Sequence, residues 1–365
     1  MKLNRNQRAF FALVKAGLWE QNVQLSQYGK IDFKEVYRLS QEQSVVGLVA
    51  AGLEHVTDYA VPKDDVLSFV GTTLQLEQRN HGMNQFLAML NNKLNEEKIK
   101  AILVKGQGVA QCYERPLWRA AGDIDLLLSS ESYERAKSLL IPLAEYVDKE
   151  DVARKHLPIK MKGYDVELHG SMPFVLSKRV DCVIEEAIED TLEHNGTSSW
   201  NLKGRDILLP NSDYHIVIVF THFLHHFFIE GIGLRQICDW CRLMWVNKDS
   251  LDNALFEMRL RKAGLLSEWR TFAALAVNTL GMPSDAMPLY QEGYDHKANK
   301  VLSHILKSGN MGHNNDVSYR GKFPAIVSNI ITFWRRFIDF ASLVPVFPID
   351  SPKFFLTYVM KRVQK

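Results

Sequence analysis

The chain has 365 residues, of which 46% are hydrophobic and 24% are charged, and its formal net charge is +2. This length allows two or three packed units, and the small net charge argues against a protein that binds duplex nucleic acid through a basic surface. The four cysteines, Cys112, Cys182, Cys238 and Cys241, do not make a disulfide framework. The C-x-x-C pair at 238 and 241 has no second pair to accompany it, so we expect both thiols to be packing residues.

Residues 1–98 are predicted to form an N-terminal helical region. Apolar residues recur at helical spacing over 10–18 and 45–49, and a long helical pattern covers 64–97, after Pro62. The first residues do not have the pattern of a secretory signal, and the sequence has no uninterrupted apolar stretch of about eighteen residues. These observations favour a cytoplasmic protein without a transmembrane segment.

Residues 99–211 are predicted to be a small α/β core with a mixed sheet, because short apolar strands alternate with helices there. A buried strand at 101–104 leads into the turn Lys-Gly-Gln-Gly at 105–108, and a helical segment follows at 109–113. A glycine turn between a strand and a helix presents backbone N–H groups to a phosphate. Further strands are predicted around 123, around 166 and at 206–209.

Two acid-bearing strands follow this turn. Side chains alternate along a strand, so Asp123 and Asp125 share one face while their apolar neighbours point into the core. The later strand at 164–169 likewise has a polar face, formed by Asp165, Glu167 and His169. Carboxylates this close repel one another unless a cation lies among them. Mg²⁺ is the natural occupant because it prefers oxygen ligands and leaves positions for substrate phosphates, and Mn²⁺ is the alternative ion.

The third carboxylate of this site is predicted to be Glu167. It is flanked by Val166 and Leu168, deeper in the strand, whereas Asp165 follows a turn and is expected to face solvent. Either acid shares the correct face, so Asp165 stays open as the alternative. On the same face, His169 could carry a proton or contact a phosphate, or it could make an ordinary hydrogen bond. His156 is a further candidate.

Two cations near the acids are candidate phosphate ligands. Lys105 belongs to the glycine turn, and Arg119 lies four residues before Asp123, where its guanidinium could fork onto phosphate oxygens. The alternative for each is a solvated surface cation.

Residues 212–365 are predicted to be a C-terminal helical region. Its first helix carries four histidines, His215, His222, His225 and His226, and positions 215, 222 and 226 share one stripe. A zinc site is one interpretation, but no glutamate follows His222 as a hydrolytic zinc helix requires. We expect these histidines to line the floor of the active cleft or to bond to other helices, with Arg235 and Asp239 as partners.

The end of the chain is apolar and basic. Residues 323–348 contain many aromatic and aliphatic side chains, and a basic run ends the chain at 361–365. This segment could be an interfacial membrane segment. The preferred interpretation is a helix that closes the C-terminal core, and a loop is expected before it at 309–316.

The order of glycine turn, helix, Asp-x-Asp strand and later acid resembles that of the DNA polymerase β-like nucleotidyltransferase superfamily. Lys105-Gly106, Pro116, Arg119, the acid strands and the segments 222–226 and 233–239 are similar to a bacterial branch of nucleotidyltransferase family proteins, over roughly residues 90–245. The resemblance implies a magnesium-dependent transferase in which Asp123, Asp125 and Glu167 hold metal. One departure is Gln107, which stands where many members of the superfamily have a serine that helps to hold triphosphate.

These observations predict a nucleotidyltransferase that moves a nucleoside monophosphate from a triphosphate such as ATP to an acceptor, with release of pyrophosphate. The residues expected to contact the nucleotide are Lys105, Gly106, Gln107, Arg119 and His169. The acceptor could be a small molecule, an RNA end or a protein. Two alternatives stay open: a glycosyltransferase that holds a nucleotide sugar with its Asp-x-Asp, and a non-catalytic binding protein on a decayed transferase fold.

Overall fold

The structure, a computed structural model, describes residues 3–194, 196–315 and 318–363. The strands of these residues are β1 (Ala101–Val104), β2 (Ile124–Leu128), β3 (Tyr146–Val147), β4 (His156–Met161), β5 (Tyr164–His169), β6 (Thr197–Leu202) and β7 (Arg205–Pro210). The α-helices are α1 (Arg5–Trp19), α2 (Phe33–Glu42), α3 (Val46–Glu54), α4 (Lys63–Glu96), α5 (Gly106–Ala110), α6 (Ser130–Leu140), α7 (Lys178–Glu193), α8 (Ser212–Ile229), α9 (Leu234–Asn247), α10 (Asn253–Ala263), α11 (Leu266–Leu280), α12 (Asp295–Ser308), α13 (Tyr319–Lys322), α14 (Ala325–Leu343) and α15 (Asp350–Val363).

The N-terminal helices begin where the sequence supplies suitable residues. The Asn4 side chain accepts a hydrogen bond from the Gln7 backbone N–H, and the Gln7 side chain accepts one from the Asn4 backbone, so α1 starts with a capping box. Asp32 caps α2 in a similar way, and α4 begins directly after Pro62. These helices confirm the pattern that the apolar spacing predicts.

Helices α1 and α3 approach each other at glycines. A Cβ atom added at Gly17 would lie 1.9 Å from the Leu48 carbonyl oxygen, and one added at Gly52 would lie 2.1 Å from the Leu13 carbonyl oxygen. Only a residue without a Cβ lets the two backbones come this close. The helix pair therefore depends on both glycines.

The strands form one mixed sheet in the order β3-β4-β5-β2-β1-β7-β6. β2 lies near the centre, parallel to β5 and antiparallel to β1, and β1 is parallel to β7. This arrangement confirms the predicted fold class, a mixed sheet with helices before and after it.

Strands β3, β4 and β6 are not predicted from the sequence. β4 contains Pro158 and β6 is mostly polar, so neither has the apolar pattern of a buried strand. Each is joined to the following strand by a two-residue Lys-Gly turn, at 162–163 and 203–204. All four turn residues have positive φ, between 49° and 79°, as a type I′ hairpin requires.

Both faces of the sheet are covered. The face that includes Leu126 packs against α4 and α6. The opposite face, with Leu127, belongs to an apolar core that also contains residues of α1–α3 and α8–α12. Because one core unites residues from all three segments, the division of the chain at 98 and 211 stays a prediction. Cys238 and Cys241 lie in this core with no exposed surface and no disulfide, which confirms them as packing residues.

Helices α14 and α15 close the C-terminal end of this core. The Phe340 ring stacks on Phe228 with centroids 5.8 Å apart, and the Phe354 ring centroid is 5.0 Å from that of Phe228. The Ser351 hydroxyl donates to the Phe340 carbonyl at 2.6 Å. These contacts place the C-terminal end of α14 against the core, and the interpretation of 323–348 as a whole stays a prediction.

Among the described residues, every helix is too short or too polar to cross a membrane. The predicted loop before α13 includes a short 3-10 turn at Asn310–Gly312. Asp316 of that loop and residues 364–365 of the basic run lie outside the described residues.

Candidate active site

Strand pairing places two of the predicted carboxylates side by side. Asp125 of β2 and Glu167 of β5 are direct partners in a parallel pair, so their strands lie about 4.8 Å apart at this point. Asp123 precedes β2 and shares the face of Asp125 by alternation. All three acids line one cavity of about 480 Å³. The structure therefore brings together the carboxylates that the sequence singles out.

Asp165 lies apart from this cavity. Its side chain is exposed on β5, opposite Lys160 of β4, and it is absent from the cavity lining. Glu167 is half-buried and lines the cavity. Position and burial thus favour Glu167 as the third acid.

Two histidines surround the Glu167 carboxylate. His169 Nε2 lies 3.2 Å from Glu167 Oε2 and 3.0 Å from Asp125 Oδ1, so this ring links the two acids. His156 Nε2 lies 3.3 Å from the same Glu167 oxygen, and the two rings stack with centroids 4.8 Å apart. His156 faces His169 because β4 and β5 pair in register at these residues.

The protonation of the acids reflects these neighbours. Burial, together with the charges of Asp125 and Glu167, raises the pKa of Asp123 to about 6. Burial alone would also raise the pKa of Glu167, but the imidazoles of His156 and His169 beside its carboxylate outweigh burial and hold that pKa well below its usual range. The pKa of His169, which burial would lower, is raised because the ring bonds to Asp125 and Glu167. The site thus holds concentrated negative charge that a cation would relieve.

Lys105 places a positive charge against Asp125. Its Nζ atom lies 2.7 Å from Asp125 Oδ1 and 3.1 Å from His222 Nε2. Lys105 and Gly106 both have positive φ, 59° and 46°, in the turn that joins β1 to α5. A Cβ at Gly106 would lie 3.0 Å from the Asp123 carbonyl oxygen, so a glycine lets this turn pack against the acid strand.

Two features of the glycine turn differ from the prediction. The helix begins at Gly106 and has only five residues, so it adds little dipole, and the Lys105 backbone N–H already donates to His215. Gln107 is buried outside the cavity lining, where its amide donates to the Asn80 side chain at 2.9 Å. The expectation that Gln107 holds triphosphate does not fit this position, because sequence cannot show which side of a short helix faces the cleft.

Arg119 lines the cavity but is already paired. Its Nε and Nη2 atoms donate to the two carboxylate oxygens of Asp239, at 2.7 and 2.8 Å, and Tyr113 donates to the same carboxylate. The Asp239 charge outweighs burial and raises the pKa of Arg119. This bidentate pair ties α9 to the segment before β2. Arg119 is therefore neither the solvated cation nor the free phosphate fork that the sequence suggests.

Arg235 is the cation that sequence reasoning misses as a candidate phosphate ligand. It lines the cavity from α9, its Nη1 donates to the Ala120 carbonyl at 3.1 Å, and its Nε has no partner among the described residues. A Cβ at Gly122 would lie 3.8 Å from this guanidinium, which is therefore next to the start of the acid strand. Burial and the charge of Arg119 lower the pKa of Arg235.

Three histidines of α8, His222, His225 and His226, line the cavity, whereas His215 lies outside the lining and accepts the Lys105 backbone N–H. Arg235 and Asp239 are not their partners. His222 contacts Lys105 and lies 3.1 Å from His226, between the Nε2 atoms. His225 donates to the Phe174 carbonyl, and His226 bonds to Glu230. Burial holds the pKa of His225 at about 4. Asp239 is instead paired with Arg119.

The donor set of this cavity fits a divalent cation. The ligand atoms of His156, Glu167 and His169 all lie within 4.8 Å of one another, and Asp123 and Asp125 supply further carboxylate oxygens. Oxygen donors suit Mg²⁺, and imidazoles beside them shift the preference towards Mn²⁺ and later transition metals.

A family model described as an uncharacterised nucleotidyltransferase matches residues 29–281. No curated protein and no solved structure gives a significant match. The matched range is more than half of the chain and contains the whole sheet, the acids and most of the helices that surround the cavity. It confirms the resemblance seen in the sequence, and the chain belongs to this nucleotidyltransferase family of transferase enzymes.

Proposed function

We propose that this protein is a Mg²⁺-dependent enzyme that transfers a nucleoside monophosphate from a nucleoside triphosphate, ATP among them, to an acceptor and releases pyrophosphate. The observation that carries the proposal is the convergence of Asp123, Asp125 and Glu167 on one cavity in a chain of a nucleotidyltransferase family. Nucleoside triphosphates are cytoplasmic metabolites, so we also propose the cytoplasm as its compartment.

The three carboxylates would hold the metal. Asp125 lies between Asp123 along the chain and Glu167 across the strand pair, so it would be the central ligand of the three. Glu167, kept ionised by two histidines, remains a ligand at mildly acidic pH and can orient the acceptor. Held by these carboxylates, Mg²⁺ would supply positive charge against the phosphates.

The cations of the cavity would bind the triphosphate. Lys105 Nζ stands between Asp125 and His222, within reach of a phosphate oxygen in the cavity. Arg235 offers a desolvated guanidinium whose Nε is unpaired among the described residues, and an anion would satisfy that donor. Arg119 supports the site indirectly, since its pair with Asp239 fixes α9 and therefore Arg235. His169 stays in the proposed set through its bonds to both acids.

Calorimetric titration with a non-hydrolysable triphosphate, with and without Mg²⁺, tests this function. We expect nucleotide binding that requires the metal, its loss in Asp125→Asn and Glu167→Gln, and unchanged binding in Asp165→Asn. Asp165 is the matched control because it lies on the same strand face outside the cavity. Pyrophosphate release with candidate acceptors then measures turnover.

Three results would overturn the proposal. Tighter metal-dependent binding of a nucleotide sugar than of any triphosphate would indicate a glycosyltransferase. No metal-dependent nucleotide signal would indicate a binding protein on a transferase fold. An equal loss of nucleotide binding in Asp165→Asn and Glu167→Gln would contradict the assignment of Glu167 as the third metal ligand.

A further inference from the structure

Helix α14 has its apolar side turned outward. Ile326, Trp334 and Ile338 have 75%, 56% and 58% of their surface exposed. Three more apolar side chains of α14 with large exposed surfaces accompany them, Val327, Ile330 and Phe337, and Phe323 is exposed just before the helix. At 100° per residue the six side chains of α14 fall within an arc of about 120° on the helix. The exposure is therefore one continuous stripe along the helix.

Before Phe340, the opposite side of α14 is polar and faces the protein. Ser328, Thr332 and Arg336 line a second cavity beneath the helix, together with Glu230 at the end of α8. Arg336 also pairs with Asp339 on this inner side. A helix that only closed a core would place its apolar face inward. This reversed orientation indicates that the outer face has a partner.

Helix α15 extends the apolar surface. The Phe355 ring lies 5.8 Å from Phe333 and 5.6 Å from Phe337 between centroids, so the two helices meet at aromatic side chains. Leu356 and Met360 are exposed on the outer side of α15, one turn apart. We call the exposed apolar residues of α14 and α15 the outer face.

The charge around the outer face is strongly positive. Residues 318–363 contain seven Lys and Arg against two Asp, whereas the whole chain has a net charge of only +2. Lys322, Lys353 and Lys361 are exposed, while Asp339 and Asp350 are half-buried. The rest of the chain therefore has a net negative charge, and the excess of positive charge lies in the segment that forms the outer face.

We propose that the outer face is a docking surface for an anionic lipid bilayer, on which α14 and α15 lie parallel to the membrane plane. Trp and Phe side chains with flanking Lys and Arg are the composition of interfacial helices. Each Lys or Arg near an anionic surface strengthens the association, and salt weakens it. A second copy of the chain fits less well, because a two-fold dimer would bring two positive segments together.

Co-sedimentation of the full chain with vesicles tests this proposal. We expect binding to phosphatidylcholine vesicles that contain phosphatidylglycerol, little binding to phosphatidylcholine alone, and release at high salt. Ile330→Glu should weaken binding about tenfold or more, because it places a charge in the centre of the outer face. Leu74→Glu is the matched control, since Leu74 is 60% exposed on α4, away from this surface.

Two further measurements make the outcome unambiguous. Lys353→Glu combined with Lys361→Glu should weaken binding to anionic vesicles and leave the pyrophosphate-release activity in solution unchanged. Trp334→Phe should keep binding but remove the blue shift of fluorescence that vesicles cause. Equal binding of Ile330→Glu and Leu74→Glu, or binding that ignores lipid charge, would overturn the proposal. So would a lipid-free dimer that Ile330→Glu dissociates, since the face would then be an interface between copies.

Discussion

The Asp125 carboxylate has two positively charged or proton-donating neighbours, Lys105 at 2.7 Å and His169 at 3.0 Å. It also stands beside Glu167 across the strand pair. One side chain thus connects the glycine turn, the acid strand and the histidines. Its loss would disturb all three, whereas the loss of Lys105 removes a single cation.

We therefore predict that Asp125→Asn lowers the rate of pyrophosphate release about a thousandfold, because a shared metal ligand contributes several kcal/mol in the transition state. Lys105→Ala should cost about tenfold to a hundredfold, as expected for one charged hydrogen bond. Steady-state rates at saturating Mg²⁺ measure both. Comparable activity of Asp125→Asn and the unchanged protein would contradict this role.

The two buried arginines of the cavity should respond differently to mutation. Arg119→Met leaves Asp239 buried without its ion pair, which costs about 3–5 kcal/mol of unfolding free energy. Arg235 has no carboxylate partner among the described residues, so Arg235→Met should change stability far less while weakening triphosphate binding about tenfold to a hundredfold.

Urea unfolding and calorimetric titration of both variants measure these two effects separately. A large stability loss in Arg235→Met with unchanged nucleotide affinity would assign Arg235 a structural role instead.

How much of this site the sequence could predict differs between its residues. Asp123, Asp125 and Glu167 follow from alternation along two strands, which is local information. Arg119 and Asp239 are 120 positions apart, and no periodicity shows that they pair. The same holds for the contact of Lys105 with His222, since it depends on how α8 crosses the sheet.

At the scale of elements, the long amphipathic patterns and capping residues predict the helices well. The strands that the sequence reveals, β1, β2, β5 and β7, have apolar cores. In the sequence, β4 and β6 are marked only by the Lys-Gly pairs that follow them. The structure shows positive φ at both residues of each pair, as a hairpin requires, but lysine is not a residue that usually indicates such a turn. The sequence gives little indication that His156 belongs to the site, because only its position on β4 brings it close to Glu167.

The close approach of α1 and α3 gives a prediction about helix packing. Gly17→Ala should destabilise the protein by about 1–3 kcal/mol, because the added methyl group meets the Leu48 backbone and forces the helices apart. Gly71→Ala is the control: no atom lies within 4 Å of an added Cβ there, and alanine should stabilise α4 by about 0.5–1 kcal/mol. Chemical unfolding of both variants checks the signs, and destabilisation by Gly71→Ala would show that helix propensity does not explain the difference.

At the scale of the molecule, a buried carboxyl of α11 lies near the C-terminal helices. Glu268 has no exposed surface, and neither of its carboxyl oxygens has a hydrogen-bond partner among the described residues. Burial, and then the nearby charge of Asp350 at the start of α15, raise the pKa of Glu268 well above 4.5. The folded protein therefore favours the neutral carboxyl.

A group whose pKa is higher in the folded state than in the unfolded state stabilises the fold at pH values below its unfolded-state pKa. This stabilisation is lost as the pH rises through its folded-state pKa. We predict that Glu268→Gln, which is neutral at all pH values, matches the unchanged protein near pH 4.5 and exceeds its unfolding free energy at about pH 8 by at least about 1 kcal/mol. Urea unfolding at the two pH values measures the difference. A constant difference between the two proteins would contradict the linkage.

Residues distant in sequence form hydrogen bonds with the C-terminal end of α1. The Trp19 indole donates to the Leu280 carbonyl, and Arg242 donates to the Leu18 carbonyl and holds Glu114. During synthesis α1–α3 leave the ribosome before Arg242 and Leu280 have been made. The apolar sides of these helices therefore stay exposed to solvent or are covered by chaperones until then. Slow translation of the later part of the message would prolong the time for which these apolar sides are exposed. Shortened chains that end soon after the sheet should aggregate rather than accumulate as soluble protein.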